Sequence, residues 1–191
     1  VLDPRPETEL IVEEAIKNYK NKKQKLKILD IGTGSGCISI SLAKEFPNSS
    51  LTAIDISEKA LRVAKKNIIE NKLDKQIELK LCEFNDLNEK YDLIVSNPPY
   101  LSEDDFNKTQ LEIKKYEPKI SLVAAEDGLS FYRIFARNIE KIMNKNSLFI
   151  FEIGHNQLDS CKAIFRNSNL KLKKISKDIQ KIDRTLTFIK I

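Results

Sequence analysis

The sequence predicts an α/β fold, a mostly parallel sheet of seven strands with helices on both faces. Two observations support this prediction. Short apolar segments of strand length alternate along the chain with amphipathic segments of helical period. Glycines or polar residues directly follow several of the apolar segments, as they do where ligands bind at the carboxyl ends of parallel strands. No internal repeat or low-complexity linker interrupts the 191 residues, so we expect one domain over residues 1–191.

Helices are predicted where apolar residues recur every three or four positions. The expected helices cover residues 7–19, 37–46, 57–71, 129–143 and 157–167. Pro6 and acidic residues mark the start of the first helix, Pro47 ends the second, and Ser57 caps the third. These three boundaries therefore carry residues whose chemistry suits a helix end.

Strands are predicted where short β-branched or alternating runs end at turn residues. The expected strands cover residues 26–31, 51–55, 77–81, 91–96, 147–153, 170–175 and 186–191. Residues 101–127 have no clear period and carry Pro118, so we expect a mobile loop there. Asp183, Arg184 and Thr185 precede the last strand, and we expect them to form a structural turn rather than a site.

Composition argues against membrane and secreted classes. No apolar stretch approaches the roughly 20 residues of a membrane helix, and nothing resembles a secretory signal. Cys37, Cys82 and Cys161 are too few and too scattered for a disulfide framework or a zinc site. We therefore expect a cytoplasmic protein with no metal and no membrane partner. Val1 is not a start methionine, and we expect an N-terminal part to precede it.

The net charge of +5 comes mainly from lysine. A nucleic-acid interface would add a basic stripe with interleaved aromatic residues, and the sequence has none. Direct nucleic-acid binding by this domain is therefore not expected.

A glycine-rich turn follows the first predicted strand. Gly32, Gly34 and Gly36 alternate with Thr33 and Ser35, so the backbone can turn sharply and approach a ligand without a Cβ in the way. The turn is followed by Cys37 where a dinucleotide-binding turn needs its third glycine. Asp55, 19 residues after Gly36, ends the second strand and can accept hydrogen bonds from ribose hydroxyls.

The segment from Asp30 to Gly36, taken with Asp55, resembles the S-adenosylmethionine site of Rossmann-like class I methyltransferases. The resemblance implies that Asp30 supports the loop near the methionine moiety and that Asp55 holds the ribose. It also places Glu83 and Phe84 beside the adenine. The implied cofactor is S-adenosyl-L-methionine, with S-adenosyl-L-homocysteine as its product.

The tetrapeptide Asn97-Pro98-Pro99-Tyr100 directly follows the fourth predicted strand. An amide or exocyclic amine is a poor nucleophile, because its lone pair is delocalised. Asn97 offers an amide oxygen and Pro98 a carbonyl that two prolines constrain, so together they can accept both N–H bonds of such a nitrogen. Tyr100 can stack on the planar target group. Taken alone, the tetrapeptide also suits a simple turn after a strand.

Enzymes that methylate adenine N6 and enzymes that methylate glutamine share this tetrapeptide, and the flanking segments separate them. Four segments resemble the HemK/PrmC family, the peptide chain release factor glutamine methyltransferases; they cover residues 4–9, 116–118, 122–129 and 151–154. The resemblance implies methyl transfer to the glutamine of the Gly-Gly-Gln motif of class I release factors. Asn97, Pro98 and Tyr100 would be catalytic, and Pro99 would also contact substrate. The family's N-terminal helical domain would lie outside this chain.

Arg5, Glu7 and Glu9 are further candidates for substrate binding, either by closing the pocket or by contacting the Gly-Gly-Gln loop. Ordinary acidic residues at a helix start are the alternative explanation for the two glutamates. His155, the only histidine, follows a strand in a polar loop and is not expected to act as a base.

Three other functions stay open. An N6-adenine methyltransferase acting on DNA or RNA fits the tetrapeptide and the positive charge but not residues 4–9. A ribosomal-protein glutamine methyltransferase fits less well than the release-factor branch, because of residues 6–9. A cofactor-binding domain without turnover would need Asn97 or the loop glycines altered, and they are intact. We expect a monomer.

Overall fold

The computed structural model describes residues 5–125 and 127–191, apart from the side chains of residues 112, 113 and 116. A seven-stranded sheet forms its centre, in the order β3-β2-β1-β4-β5-β7-β6. The strands are β1 (Lys27–Ile31), β2 (Ser50–Asp55), β3 (Ile77–Leu81), β4 (Tyr91–Ser96), β5 (Met143–Glu152), β6 (Leu170–Lys177) and β7 (Asp183–Lys190). Only the two pairings of β7 are antiparallel among the described strands. The predicted mostly parallel sheet is confirmed.

Helices cover both faces of the sheet. They are α1 (Glu9–Asn18), α2 (Cys37–Glu45), α3 (Glu58–Glu70), α4 (Glu103–Lys108), α5 (Leu111–Tyr116), α6 (Ser130–Asn138) and α7 (Leu158–Phe165). The predicted cap of α3 is confirmed, because the Ser57 side chain accepts a hydrogen bond from the Ala60 N–H at 3.3 Å. A short 3₁₀ turn, Pro6–Thr8, leads into α1.

The core has two layers, one on each face of the sheet. Successive strand residues point to opposite faces, so Ile28 packs in the layer under α1, α2 and α3, whereas Leu29 packs in the layer under α6 and α7. The second layer is rich in aromatic rings, and Phe135 of α6 meets Phe149 of β5 edge to face at a centroid distance of 5.1 Å. No helix in the described part of the chain is both long and apolar enough to cross a membrane.

The predicted loop over residues 101–127 is wrong. The segment contains α4, α5 and a 3₁₀ turn, Lys119–Ser121. Ser102 caps α4 by accepting from the Asp105 N–H at 3.0 Å. Helices of six residues are too short to show a hydrophobic period, which explains the error. An isolated parallel bridge between Leu101 and Val123 ties the two ends of the segment together. Its mobility stays a prediction.

The boundary between the fourth predicted helix and the strand that follows it also differs from the prediction. The helix expected to reach residue 143 ends at Asn138, and a 3₁₀ turn, Ile139–Ile142, leads to Met143 at the start of β5. Buried apolar residues at 139, 142 and 143 imitate a helical stripe there.

The turn expected at residues 183–185 is wrong, because these residues begin β7. The chain reverses earlier, at Asp178, whose Oδ1 accepts the backbone N–H groups of Gln180 at 2.8 Å and Ile182 at 2.9 Å.

Candidate active site

A cavity of about 530 Å³ lies at the carboxyl edge of the sheet, beyond β1, β2 and β4. The strand order reverses between β1 and β4, which is the position where open α/β sheets bind ligands. The loop after β1, the residues after β2 and β3, part of the tetrapeptide after β4, and α6 contribute to its wall. The parallel strands thus bring together segments that are distant in sequence.

The loop after β1 is held in a conformation that requires glycine. Gly32, Gly34 and Gly36 have φ angles of +71°, +57° and +82°, which residues other than glycine rarely adopt. The N–H groups of Gly32 and Thr33 both donate to the Ile54 carbonyl at 2.9 Å, which ties the loop to β2. A Cβ on Gly32 would meet no atom within 4 Å, so the backbone there faces open space.

Asp30, one residue before the end of β1, supports this loop from below. It is 1% exposed, and its Oδ2 accepts hydrogen bonds from the Thr33 and Ser39 hydroxyls, each at 2.7 Å. Its Oδ1 has no hydrogen-bond partner among the described residues. Burial raises the pKa of Asp30 to about 6, although the two hydroxyl donors oppose the shift. Asp30 does not line the cavity.

Asp55, the last residue of β2, lines the cavity and connects two backbone segments. Its Oδ2 accepts the Gly34 N–H at 3.0 Å, and its Oδ1 accepts the Ser57 N–H at 2.8 Å. Each carboxylate oxygen can accept a second hydrogen bond, so both can still receive donors from a ligand. The predicted ribose acceptor therefore stands at the cavity wall.

The far wall of the cavity is largely apolar. Phe84 is 7% exposed and packs against Phe135, with ring centroids 5.4 Å apart. Glu83 lines the same wall and caps the 3₁₀ turn that follows it. Ile56 and Ile134, exposed by 56% and 38%, also line the cavity. Neither residue was predicted from the sequence, although Ile56 directly follows Asp55, which was the available signal.

Within the tetrapeptide, Asn97 and Pro99 line the cavity, whereas Pro98 and Tyr100 do not. The Asn97 Nδ2 donates to the Thr8 Oγ1 at 2.9 Å. The Tyr100 hydroxyl donates to the Glu152 Oε1 at 3.2 Å. Tyr100 is thus held by its hydroxyl group, and its stacking on a target group stays a prediction.

Thr8 and Glu152 are site residues that sequence analysis missed. The Thr8 Oγ1 donates to the Glu152 Oε2 at 2.8 Å while it accepts from Asn97. Thr8 is 7% exposed and lines the cavity, and Glu152 ends β5 at 1% exposure. Both lie in segments that carried the family resemblance, residues 4–9 and 151–154, but nothing in their spacing indicates that they meet.

The other predicted substrate residues lie outside the cavity wall. Arg5 forms an ion pair with Glu117 at 3.2 Å, which links the start of the described chain to the segment before Pro118. Glu7 lies in the first 3₁₀ turn, and Glu9 is exposed in the first turn of α1. The placement of both glutamates fits ordinary acidic residues at a helix start. Substrate contact by all three stays a prediction.

Gln157 is a further residue that sequence analysis did not identify. Its Nε2 donates to the Tyr100 carbonyl at 2.8 Å, and its Oε1 accepts from the Gly154 N–H at 2.9 Å and the Tyr132 hydroxyl at 3.0 Å. This one side chain therefore fastens the tetrapeptide to the loop after β5. His155, in the same loop, is exposed. The described residues contain no group of three or more His, Cys, Asp or Glu side chains arranged for a metal ion.

Comparison with known proteins identifies the family. Residues 7–115 match the methyltransferase small domain. A release factor glutamine methyltransferase from Thermodesulfovibrio yellowstonii is 40% identical over 193 residues, which cover 97% of this chain and 67% of the relative. The chain belongs to the release factor glutamine methyltransferase family. The resemblance found in the sequence is thereby confirmed.

A second curated relative is considerably longer than this chain. The release factor glutamine methyltransferase from Fusobacterium nucleatum is 41% identical over 188 residues, which cover 97% of this chain and 53% of the relative. The chain thus spans about half the length of that curated relative. A solved structure of a release factor-specific protein-(glutamine-N5) methyltransferase from Alicyclobacillus acidocaldarius is 29% identical, with a TM-score of 0.59, and covers 98% of this chain and 93% of that chain. The predicted Rossmann-like class I methyltransferase fold is confirmed.

Proposed function

We propose that this chain is a catalytic domain that methylates the glutamine of the Gly-Gly-Gln motif in class I release factors. The methyl group goes from S-adenosylmethionine to the side-chain amide nitrogen. The observation that carries the proposal is the hydrogen bonding of the Asn97 side-chain amide. Its Nδ2 is engaged by Thr8, while its Oδ1 has no hydrogen-bond partner among the described residues, at the wall of a cavity that also contains Asp55.

The cavity residues fit an adenosyl cofactor. Asp55 offers carboxylate oxygens to ribose hydroxyls, and the backbone at Gly32 faces open space at the cavity wall. Phe84, Ile56 and Ile134 offer an apolar wall to a flat ring. When bound, S-adenosylmethionine supplies a sulfonium methyl group: the N–C bond forms as the S–C bond breaks, the sulfur keeps the electron pair of that bond, and the amide nitrogen releases one proton to water.

The contribution of the protein is alignment. The Asn97 Oδ1 and the Pro98 carbonyl would accept the two N–H bonds of the target amide, which fixes the plane of its nitrogen. A nitrogen held in one orientation beside an electrophile reacts as in an intramolecular process, with effective molarities that can reach ~10⁵ M or more. Two preorganised acceptors also stabilise the positive charge that develops on the nitrogen.

An adenine N6 amine also presents two N–H bonds, so the acceptor pair suits it equally well. Family membership favours glutamine, because the relatives at 40–43% identity include release factor glutamine methyltransferases. The ribosomal-protein alternative concerns the same amide chemistry and differs only in the protein partner.

The test uses the natural full-length protein with isotopically labelled S-adenosylmethionine. Intact release factor, the same factor with its Gly-Gly-Gln glutamine changed to alanine, ribosomal proteins, total RNA and DNA are offered separately. We expect label in the intact release factor and none in its alanine variant. Label in RNA, DNA or ribosomal proteins with none in release factor would overturn the proposal.

A further inference from the structure

Glu152 connects three segments that are far apart in sequence. Its two carboxylate oxygens accept hydrogen bonds from different hydroxyl groups, the Oε2 from Thr8 at 2.8 Å and the Oε1 from Tyr100 at 3.2 Å. A carboxylate at 1% exposure is costly unless such partners satisfy it. Burial raises the pKa of Glu152, and the hydrogen bonds from Thr8 and Tyr100 and the charge of Arg184 oppose that shift. Two hydroxyl donors on one carboxyl group favour its ionised form, and neither oxygen of Glu152 donates to a described residue.

The chemistry of the three groups determines the direction of each hydrogen bond. An ionised carboxylate only accepts, so the Thr8 hydroxyl must give its single proton to Glu152. The Thr8 oxygen can then only accept, and the Asn97 group that faces it must be the NH₂ end of the amide. The oxygen end of Asn97 is consequently the end left for a ligand.

We propose that Glu152 and Thr8 are positioning residues that determine which end of the Asn97 amide faces the substrate. The relay of hydrogen bonds from Glu152 through Thr8 to Asn97 maintains an acceptor where the target amide presents its N–H bonds. The effect on rate rests on the proposed function, because a target nitrogen with two N–H bonds is what makes the acceptor necessary.

Replacing the carboxylate by an amide would allow the relay to reverse. In Glu152→Gln the new side-chain NH₂ can donate to the Thr8 oxygen, and Thr8 can then donate to the Asn97 Oδ1. Asn97 would thereby rotate its NH₂ end toward the substrate. The NH₂ group of Asn97 would then face the NH₂ group of the target amide, and two donors cannot form a hydrogen bond with each other. Glu152→Gln therefore changes hydrogen-bond polarity while it preserves side-chain shape.

The test compares four variants of the natural full-length protein. Thr8→Ser keeps the hydroxyl, Thr8→Val keeps the shape without it, and Glu152→Gln reverses the polarity. Thr187→Val is the matched control, because Thr187 is also buried, lies in β7, and its hydroxyl has no partner among the described residues. Turnover and KM for release factor, cofactor affinity by calorimetry and melting temperature are measured for each.

We expect kcat to fall by about 10²-fold or more in Thr8→Val and Glu152→Gln, while cofactor affinity changes by less than about threefold. Thr8→Ser, which keeps the hydroxyl, should turn over at least about tenfold faster than Thr8→Val, and Thr187→Val should retain turnover within about threefold of the wild type. A purely structural role would instead lower melting temperature and spare the kcat of the folded fraction. Equal turnover of Thr8→Val and Thr8→Ser overturns the proposal. Because this comparison does not involve Glu152→Gln, it tests the proposal even if that variant does not fold.

A second measurement needs no release factor. The side-chain NH₂ signal of Asn97 in a ¹H–¹⁵N spectrum, assigned by its loss in Asn97→Asp, should shift in Thr8→Val and Glu152→Gln but not in Thr187→Val. An unshifted signal overturns the relay, whatever the substrate is. Absence of release-factor methylation by the wild type, with the expected shifts present, would instead contradict the proposed function and leave the relay supported.

Discussion

The Asp55 Oδ2 accepts a hydrogen bond from the Gly34 N–H at 3.0 Å, so the acidic end of β2 holds the glycine loop of β1 directly. The two segments that a ribose and a methionine moiety would contact are therefore one connected unit before any ligand binds. Loss of the Asp55 carboxylate would therefore remove both a candidate ligand acceptor and a support of the glycine loop.

We predict that Asp55→Ala lowers the affinity for S-adenosylmethionine by about one to two decades. The change removes a charged acceptor, and a hydrogen bond to a charged group contributes roughly 1.5–3 kcal/mol. Calorimetry measures the affinity, and Asp159→Ala is the control, since its side chain is 98% exposed and lies in α7. An unchanged affinity in a folded Asp55→Ala protein would remove the ribose assignment.

We predict that the chain binds S-adenosylmethionine or S-adenosylhomocysteine and not NAD. Cys37 begins α2 at the position where a dinucleotide-binding turn needs a glycine for close packing of the helix. A thermal-shift measurement with each ligand decides between them. Stabilisation by NAD alone would be incompatible with this assignment of the loop.

Asp30 should give the folding stability a specific pH dependence. Its pKa in the folded protein is about 6, above the ordinary 3.8, so folding is favoured when it is protonated. The contribution is therefore fully present below pH 3.8 and is lost as the pH rises through about 6. The change from 3.8 to about 6 corresponds to roughly 3 kcal/mol of unfolding free energy.

The measurement for Asp30 is denaturant unfolding of the wild type and of Asp30→Asn at pH 4 and pH 7. The wild type should lose more stability than the variant over this interval, by up to roughly 3 kcal/mol. Other carboxylates, such as Asp127, whose pKa Arg133 lowers to about 2, contribute equally to both proteins and cancel in the comparison. Parallel pH curves for the two proteins would contradict the burial argument.

Gly154→Ala should displace Tyr100 of the tetrapeptide, although Gly154 does not line the cavity. A Cβ at this position would lie 2.6 Å from the Gln157 Oε1 and 2.9 Å from the Tyr100 Cδ2, so both side chains must move. Overpacking of this kind costs about 1–3 kcal/mol of stability. Denaturant unfolding should show this loss, and the double variant with Gln157→Ala should be less destabilised than the two single changes added together. Strict additivity of the single changes would show that the clash with Gln157 is not the cause.

Sequence patterns predicted the elements that have strong local signals. The strands over residues 77–81 and 91–96 have the predicted bounds, because alternating or continuous apolar runs end there at turn residues. The α4 and α5 helices were not predicted, because six residues give no period. The turn was predicted at residues 183–185 instead of at Asp178. The side-chain contacts that stabilise it come from Asp178, and a single residue leaves no strong sequence pattern.

The candidate site was predictable only where it follows strand ends. Asp55 and Asn97 lie at the carboxyl edge because parallel strands place their ends together. The contacts of Asn97 with Thr8 and of Thr8 with Glu152 join residues 89 and 144 positions apart. No spacing rule relates residues at such separations, so their meeting required the folded structure.

The measurement that tests the account most directly is the turnover of Asn97→Ala in the natural full-length protein with intact release factor. In the proposed mechanism the Asn97 oxygen acts chiefly while the target amide is aligned and positive charge develops on its nitrogen, so kcat should fall by about 10²–10³-fold. Cofactor affinity, measured by calorimetry on the same protein, should change little, since Asp55 and the glycine loop remain. Methylation of the Gly-Gly-Gln glutamine by Asn97→Ala at a rate near that of the wild type would show that the tetrapeptide is only a turn, and would contradict the proposed mechanism.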